Sequence, residues 1–266
     1  MKLLEHCLIP DWPAPDNVSA LQTTRNGGCS APPYASLNLG GHVGDAPLAV
    51  ARNRQSLGSL LPSEPVWLKQ VHGTMVADAG QAACWPEADA CIATRPGAVC
   101  AVMTADCLPV LLCDERGSVV GAVHAGWRGL SDGVIEQAVH AMKVPPQSLM
   151  AWLGPAIGPR AFEVGDEVRA AFVARQPQAA VAFIPSPGAN APPSPASGRG
   201  VGGEGKKWYA DIYHLARQRL HALGVARVYG GGLCTHTDQQ RFFSYRRDGA
   251  TGRMGTFIWI RERWRS

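Results

Sequence analysis

The sequence predicts a mixed α/β domain with stacked β-sheets. Short apolar runs of strand length alternate with amphipathic segments of helical period, a pattern typical of α/β and α+β folds. Hydrophobic residues make up 46% of the chain and charged residues 17%, so a substantial core is available. The 266 residues contain no internal repeat and no linker between two ordered halves. We therefore predict a single domain over residues 1–266.

Strands are predicted where apolar runs end at turn signals. Three such runs follow one another: AVCAVMT at 98–104, LPVLLC at 108–113 and SVVGAVH at 118–124. The turn sequence DERG separates the last two and predicts a hairpin. Two later runs, RVYGG at 227–231 and GTFIWIRER at 255–263, also resemble strands.

Helices are predicted where apolar residues recur every three or four positions. The segment 131–142, SDGVIEQAVHAM, has one apolar face, and Ser131 is a plausible N-cap. A second helix is predicted within 161–175. A third, clearly amphipathic helix is predicted within 209–225.

One segment departs from the alternation of strands and helices. Residues 185–205 contain 14 Pro, Gly or Ser residues among 21, so they lack the apolar side chains that a core needs. The flanking sequences AVAFIP and KKWYADIY both look ordered. We therefore predict a flexible insertion within one domain.

Composition argues against several classes of protein. The net charge of +4 comes from 25 basic and 21 acidic residues that are mostly scattered, so no nucleic-acid partner is expected. The N-terminus lacks an apolar export signal and no apolar run approaches ~18 residues, so we expect a cytoplasmic protein without a membrane partner. The eight cysteines include no CxxC pair and are expected to be free thiols. The oligomeric state is undetermined; a monomer is plausible.

Three potential metal donors lie in short, sharply bounded motifs: His72 in LKQVHGT, Cys107 in TADCLPV and His124 in AVHAGWRG. Their spacings of 35 and 17 residues are too wide for a zinc finger, so three strand ends would have to converge. Two imidazoles and a thiolate suit Zn²⁺ and leave a fourth position for water or substrate. Asp106 or Gln70 could then orient a ligand imidazole.

Spacing alone favours roles that involve no metal. Single Cys and His residues are more often buried structural groups than ligands. Alternatively, Cys107 could act without a metal as a thiolate nucleophile, with His124 or His72 as its base. Copper oxidase chemistry is disfavoured, because the eight histidines form no HxH pair and no blue-copper ligand set is recognisable.

The ordered motifs KQVHG, ADCLPVLL, HAGWRG, GPAIGP, FEVG and FFSYRRDGATGRMG, together with TTRNGGCSAPPYASLNLGGHVGDAPLAVARNR, resemble the YfiH/LACC1 family. That family was long labelled polyphenol oxidase or laccase-like. The likeness runs from about Leu21 to Ile260. It implies one domain of α/β/β/α layers and a zinc held by His72, Cys107 and His124. It also implies phosphorolysis of adenosine, inosine, guanosine and methylthioadenosine, with adenosine deamination as a further activity.

These reactions need a proton donor and an anion clamp near the metal. Asp106 and Glu163 are the candidates for proton transfer, and Trp127 could stack on a purine. Arg residues suit a bidentate grip on phosphate, and four lie in Gly-rich or turn-like motifs: Arg25, Arg128, Arg246 and Arg253. Two competing functions remain, a metal-independent Cys/His hydrolase or amidase acting on a cell-wall peptide precursor and a non-enzymatic binding domain stabilised by zinc.

Overall fold

The computed structural model describes residues 3–81, 85–187 and 206–262, and these form a mixed α/β fold. The helices are α1 (Pro47–Leu57), α2 (Trp127–Asp132), α3 (Val134–Ala141), α4 (Asp166–Arg175), α5 (Ile212–Ala222) and α6 (Tyr245–Asp248). The strands are β1 (Cys7–Leu8), β2 (Val18–Thr23), β3 (Val76–Asp78), β4 (Ala90–Ala93), β5 (Val99–Thr104), β6 (Leu108–Asp114), β7 (Val120–Ala125), β8 (Leu149–Leu153), β9 (Glu163–Gly165), β10 (Phe183–Pro185), β11 (Lys207–Ala210), β12 (Arg227–Gly230) and β13 (Met254–Ile260).

Two large sheets and one small sheet organise the described residues. The four-stranded sheet has the order β1-β2-β13-β5 and is antiparallel. The six-stranded sheet has the order β12-β8-β6-β7-β4-β3 and is mixed, because β12 and β8 are parallel, as are β3 and β4. The small sheet, β10-β11-β9, is antiparallel.

The strand period of two places alternate side chains of β6 in different layers. Leu111 and Cys113 pack in the core between the two large sheets, together with Ile258 of β13. Val110 and Leu112 point the other way, into the core beneath α3 and α5. Helix α1 covers the outer face of the four-stranded sheet in a third cluster. The predicted α/β/β/α layering is therefore confirmed.

The predicted strands are confirmed, but the helix after β7 differs from the expectation. Ser131 lies inside α2 and does not cap the next helix. Gly133 has a φ of 103°, in the left-handed region where glycine alone is unstrained, and it separates α2 from α3. The turn at Gly133 thus replaces the single helix predicted over 131–142 with two shorter ones.

The other two helix predictions are right only in their C-terminal parts. Within 161–175 the first residues form β9, and only Asp166–Arg175 is helical. Within 209–225 the chain first completes β11. Helix α5 then begins after Asp211, whose carboxylate accepts a hydrogen bond from the His214 amide at 2.9 Å.

Most of the predicted insertion, residues 188–205, lies outside the described residues. Its first residues belong to the ordered fold, because Pro185 ends β10 and the Ser186 amide donates to the Lys207 carbonyl at 2.9 Å. The chain therefore leaves and re-enters the fold on neighbouring antiparallel strands. The seven described cysteines are free thiols. In the described ranges, no helix has the length and apolarity to cross a membrane.

Candidate metal centre

The β6–β7 hairpin brings two of the predicted donors together. Leu108 pairs with Ala125, so the start of β6 lies beside the end of β7. Val120 and Ala122 of β7 face the core between the sheets, and the period of two turns His124 to the same side. Cys107 immediately precedes β6 at this same end of the hairpin. The antiparallel register thus converts a separation of 17 residues into proximity.

His72 completes the group from a loop rather than from a strand end, which differs from the sequence-based expectation. Its φ of 61° is unusual for a residue other than glycine and turns the loop back toward the hairpin. His72 Nε2 lies 3.8 Å from Cys107 Sγ. The ring centroids of His72 and His124 are 4.8 Å apart with an interplanar angle of 73°.

The three donors fit a single metal ion. Their ligand atoms all lie within 4.8 Å of one another. Atoms that share a tetrahedral zinc at ~2.0–2.3 Å are separated by roughly 3.3–3.6 Å, so only a small contraction is needed. His124 is buried whereas His72 is exposed, which leaves one side of the group accessible. Within the described ranges, no second cluster of at least three His, Cys, Asp or Glu side chains has such a geometry.

Asp89, which no sequence motif marked, contacts both histidines. Its carboxylate is 2.8 Å from His124 Nδ1. It also accepts hydrogen bonds from the amides of His72 at 2.9 Å, Gly73 at 2.7 Å and Val71 at 3.2 Å. Asp89 lies two residues before Cys91 of β4, and side chains two positions apart along a strand point to the same side. Asp89 therefore faces the core between the sheets, as Cys91 and His124 do.

The two residues predicted to orient an imidazole have other partners. Gln70 exchanges hydrogen bonds of 2.9 and 2.8 Å with the Met103 backbone. Asp106 accepts from Thr235 Oγ1 at 2.6 Å and from the Arg246 amide at 2.7 Å. Asp106 therefore fastens the first turn of α6, which carries Arg246, beside the site, and neither residue holds a donor histidine.

The surroundings of Cys107 and His124 favour the thiolate and the imidazolium when no metal is bound. Burial opposes ionisation of Cys107, but the positive charge of His124 and hydrogen bonds from His124 and His72 outweigh it and lower the pKa of Cys107 to about 6. Burial likewise disfavours the charged form of His124. The Cys107 thiolate and the Asp89 carboxylate outweigh that effect and raise the pKa of His124 to about 9.

A cavity of about 170 Å³ opens beside Cys107. Most of its lining is apolar, with aromatic rings from α2, the loop before β9 and α6. Asp106 and Arg246 supply its charged groups. The lining residues are Ala105, Asp106, Cys107, Trp127, Ile157, Phe162, Ile212, Tyr245 and Arg246.

Two of the four predicted phosphate-binding arginines lie at the site. Arg246 lines the cavity, and its guanidinium donates to the Glu163 carbonyl at 2.8 Å. Arg253 is half-buried, and burial lowers its pKa, while the negative charges of Cys107 and Asp106 act in the opposite direction. Burial and the nearby charges of Arg253, Arg54 and His124 also lower the pKa of His42. Positive charge is therefore concentrated on the side of the donors where Arg246 and Arg253 lie.

The remaining predicted residues lie outside the cavity lining. Arg25 donates to the carbonyls of Ala35 and Gln239, each at 3.1 Å, and stacks over a phenylalanine, so it joins loops together. Arg128 is exposed, with its guanidinium 4.6 Å from the Trp127 ring centroid. The Glu163 carboxylate accepts from Ser186 Oγ at 2.7 Å. Among the described residues, no contact brings these three side chains to the donors.

Gly126 packs directly against the metal donors. A Cβ atom at this position would lie 2.7 Å from His72 Cδ2 and 3.2 Å from Cys107 Sγ. The backbone itself, with φ −64° and ψ 155°, is one that any residue adopts. Glycine at position 126 therefore leaves space for the donors; it is not needed for an unusual backbone turn.

The fold and the site together define the class of this protein. It is an α/β/β/α domain with an open donor set of two histidines and one cysteine beside an apolar cavity, an arrangement suited to a metal-dependent enzyme. Residues 19–261 match the family model described as multi-copper polyphenol oxidoreductase laccase. The chain belongs to this family, the YfiH/LACC1 family, as its motifs predicted.

Named relatives and solved structures agree with this assignment. The chain is 52% identical over 256 residues to "Purine nucleoside phosphorylase YfiH" of Escherichia coli (strain K12), which covers 95% of this chain and 98% of that protein. It is 45% identical to a purine nucleoside phosphorylase of Haemophilus influenzae, covering 94% of this chain and 98% of that protein.

The crystal structure of Neisseria meningitidis protein NMB0706 superposes with a TM-score of 0.85 and 49% sequence identity, covering 97% of this chain and 100% of that one. Bacillus licheniformis YfiH gives a TM-score of 0.78 at 30% identity, covering 92% and 93% of the two chains.

Proposed function

We propose that this protein is a zinc-dependent purine nucleoside phosphorylase that uses adenosine, inosine, guanosine and methylthioadenosine. The observation that carries the proposal is the open donor set, His72, Cys107 and His124, of which Cys107 lines the wall of an apolar cavity. The names of the relatives support the same reaction class. Two imidazoles and one thiolate are a donor set that zinc favours.

The size and lining of the cavity suit the base rather than the whole nucleoside. Its volume of about 170 Å³ is below the ~300–1,000 Å³ of pockets that enclose a drug-sized ligand. Trp127, Phe162 and Tyr245 offer aromatic faces on which a purine can stack. In this arrangement the base occupies the cavity, and the ribose lies at its open side toward the donors.

Phosphate would then be held by the arginines beside the donors. Arg246 and Arg253 are favoured over Arg25 and Arg128, because only the first two lie near Cys107. An arginine fork matches two phosphate oxygens and fixes the direction from which phosphate approaches.

The reaction transfers the ribosyl group from the purine to phosphate. A phosphate oxygen forms a bond to C1′ as the bond from C1′ to the purine nitrogen breaks, and the leaving base takes up a proton. Positioning both reactants accounts for much of the rate gain. Asp106 is favoured over Glu163 as the carboxyl group near the leaving base, since it lines the cavity. Zinc, when bound, would supply Lewis acidity at the donors.

Adenosine deamination is proposed as a second activity of the same site. It needs a water near C6 of adenine and a group that protonates the departing ammonia. Conversion of adenosine to inosine without phosphate, with ammonia released in equal amount, is the expected result. Because no phosphate enters this reaction, Arg253→Ala should reduce phosphorolysis much more than deamination.

The decisive experiment combines metal analysis with a phosphorolysis assay. Purified protein should contain about one zinc per chain and release hypoxanthine from inosine only when phosphate is present. Cys107→Ala should abolish this release, whereas Cys113→Ala, a buried thiol at the other end of β6, should retain it. Full activity in the Cys107→Ala protein would refute the proposal.

One observation favours a second function. Cys107 and His124 lie in one group of donors, and the lowered pKa of Cys107 with the raised pKa of His124 suits a thiolate nucleophile and its base, as in a Cys/His hydrolase or amidase. A cell-wall peptide precursor is the substrate class for this alternative. Chelation separates the two functions, because it should stop phosphorolysis and leave a metal-independent hydrolase active.

Two other functions are less well supported. A multi-copper oxidase needs several copper sites, and the part of the chain that the structure describes offers one such donor group. Copper is therefore disfavoured despite the description of the family model. A non-enzymatic domain stabilised by zinc would turn over no nucleoside and would unfold when the metal is removed.

A further inference from the structure

One buried carboxylate connects the two histidines of the proposed metal site. Asp89 is fully buried, and its two oxygens accept four hydrogen bonds. One oxygen lies 2.8 Å from His124 Nδ1 and 2.9 Å from the His72 amide. The other accepts from the amides on either side of His72.

The backbone of Asp89 adds a fifth contact to the same partners. Its carbonyl accepts from the His124 amide at 2.7 Å. His124 is thus held by Asp89 at both its main chain and its ring. Asp89 contacts His72, in contrast, only through the backbone of the loop. The φ of 61° at His72 is one that a residue other than glycine adopts only with such support.

The contact with His124 also determines which ring nitrogen is free. A carboxylate accepts hydrogen bonds, so the proton of a neutral His124 ring resides on Nδ1 and the Nε2 lone pair is directed toward Cys107 and His72. We infer that Asp89 is the positioning residue of the metal centre, which sets the tautomer of His124 and the loop position of His72 together. This inference rests on the metal site of the proposed function.

Asn is the informative substitution because it preserves the shape of Asp89 and changes its hydrogen bonding. An amide has one accepting oxygen and one donating NH₂ group. If the NH₂ faces His124, it favours protonation at Nε2 and removes the donor lone pair. If it faces the amides of Val71 and Gly73, two donors oppose it and the His72 loop is displaced.

The test is metal binding by protein that has been stripped with a chelator and titrated with Co²⁺ and Zn²⁺. Loss of a residue that orients a ligand typically weakens metal affinity 10–100-fold, and we expect roughly this loss in Asp89→Asn. The visible absorption bands of bound Co²⁺ should also change, because the ligand arrangement changes. Unchanged affinity and an unchanged Co²⁺ spectrum in a folded Asp89→Asn protein would overturn the inference.

Asp114→Asn is the matched control. Asp114 is also a buried carboxylate that accepts backbone amides, from Ser118 at 2.6 Å and Val119 at 3.0 Å, but it lies at the other end of β6. Its replacement should lower the melting temperature without altering the Co²⁺ spectrum. An equal spectral change in both variants would mean that Asp89 has only a structural role, and the inference would be wrong.

A measurement on the unmodified protein covers the case in which Asp89→Asn does not fold. Nitrogen-15 NMR of the histidine rings in the zinc-loaded protein should show His124 protonated at Nδ1 and bound through Nε2; the reverse would overturn the inference. None of these readouts depends on nucleoside turnover. If Asp89→Asn binds metal more weakly but the unmodified protein does not carry out phosphorolysis, the positioning role of Asp89 would be supported and only the proposed function would be contradicted.

Discussion

Adding a single methyl group at Gly126 should disable the metal centre without straining the backbone. An alanine Cβ would lie 2.7 Å from His72 Cδ2 and 3.2 Å from Cys107 Sγ. Alanine tolerates the backbone angles of Gly126, φ −64° and ψ 155°. The contacts with the two donors are therefore the main direct cost of Gly126→Ala, beside the smaller cost of placing alanine at the N-cap of α2.

The magnitude follows from the overlap. Carbon atoms in contact are separated by ~3.5–4.0 Å, so His72 must move by about 0.8 Å or more. Metal sites tolerate deviations of about ±0.2 Å in ligand distance. A misplacement of about 1 Å can reduce an enzymatic rate by ~10²-fold, and we expect a loss of this order for Gly126→Ala. Overpacking should also destabilise the protein by ~1–3 kcal/mol.

The assay compares zinc content, inosine phosphorolysis and thermal unfolding with those of Gly121→Ala. Gly121 lies in β7 of the same hairpin, and a Cβ there would have ordinary contacts of 3.4 Å or longer. Gly121→Ala should retain zinc and activity. If Gly126→Ala keeps the zinc affinity and rate of the unmodified protein, the close packing of Gly126 on the donors does not control the site and this reasoning is refuted.

The two pKa shifts act in opposite directions on the stability of the metal-free protein. Between about pH 6 and 9 the stabilisation by the Cys107 thiolate grows while that by protonated His124 is lost, so the pair should leave the unfolding midpoint nearly constant over this range; a steep change of midpoint that disappears in Cys107→Ser would contradict this. Arg246→Ala should raise the KM for phosphate roughly 10–100-fold, while Arg128→Ala should not change it; equal effects would argue against Arg246 as the clamp. Tyr213→Phe should cost ~1–3 kcal/mol of unfolding free energy, as measured by urea denaturation, because the buried hydroxyl bonds three backbone groups near β8; a loss below ~0.5 kcal/mol would contradict that reasoning.

The strands were predictable because strands that are buried on both faces consist of continuous apolar runs in the sequence. The residues of β5, β6 and β7 are buried throughout, so their boundaries appear as abrupt ends of apolar runs. Helix boundaries were less accurate. The break between α2 and α3 depends on the left-handed turn at Gly133, and a helical period continues through the sequence on both sides of it.

The three donors were identifiable for a related reason, since Cys107 and His124 interrupt apolar runs and His72 is followed by glycine. Asp89 was not identifiable in the same way. A carboxylate in the polar stretch PEADA is typical of an exposed turn. Only the pairing of β4 with β7, which places Asp89 beside His124, gives it a buried position with four hydrogen bonds. Information about strand register, which no short motif contains, was required.

The layered core also bears on whether the metal has a structural or a chemical role. Small domains that need zinc to fold lack a sufficient apolar core, whereas here each large sheet is covered on both faces by clusters of buried side chains. The donors lie at one end of the β6–β7 hairpin, and Asp89 fastens the His72 loop without a metal. In the metal-free state, the thiolate of Cys107 and the imidazolium of His124 partly offset the loss of the metal, since neither charge is left buried without a partner. The fold therefore has little need of a metal for its stability, and this favours a chemical role for the centre over that of a zinc-stabilised binding domain.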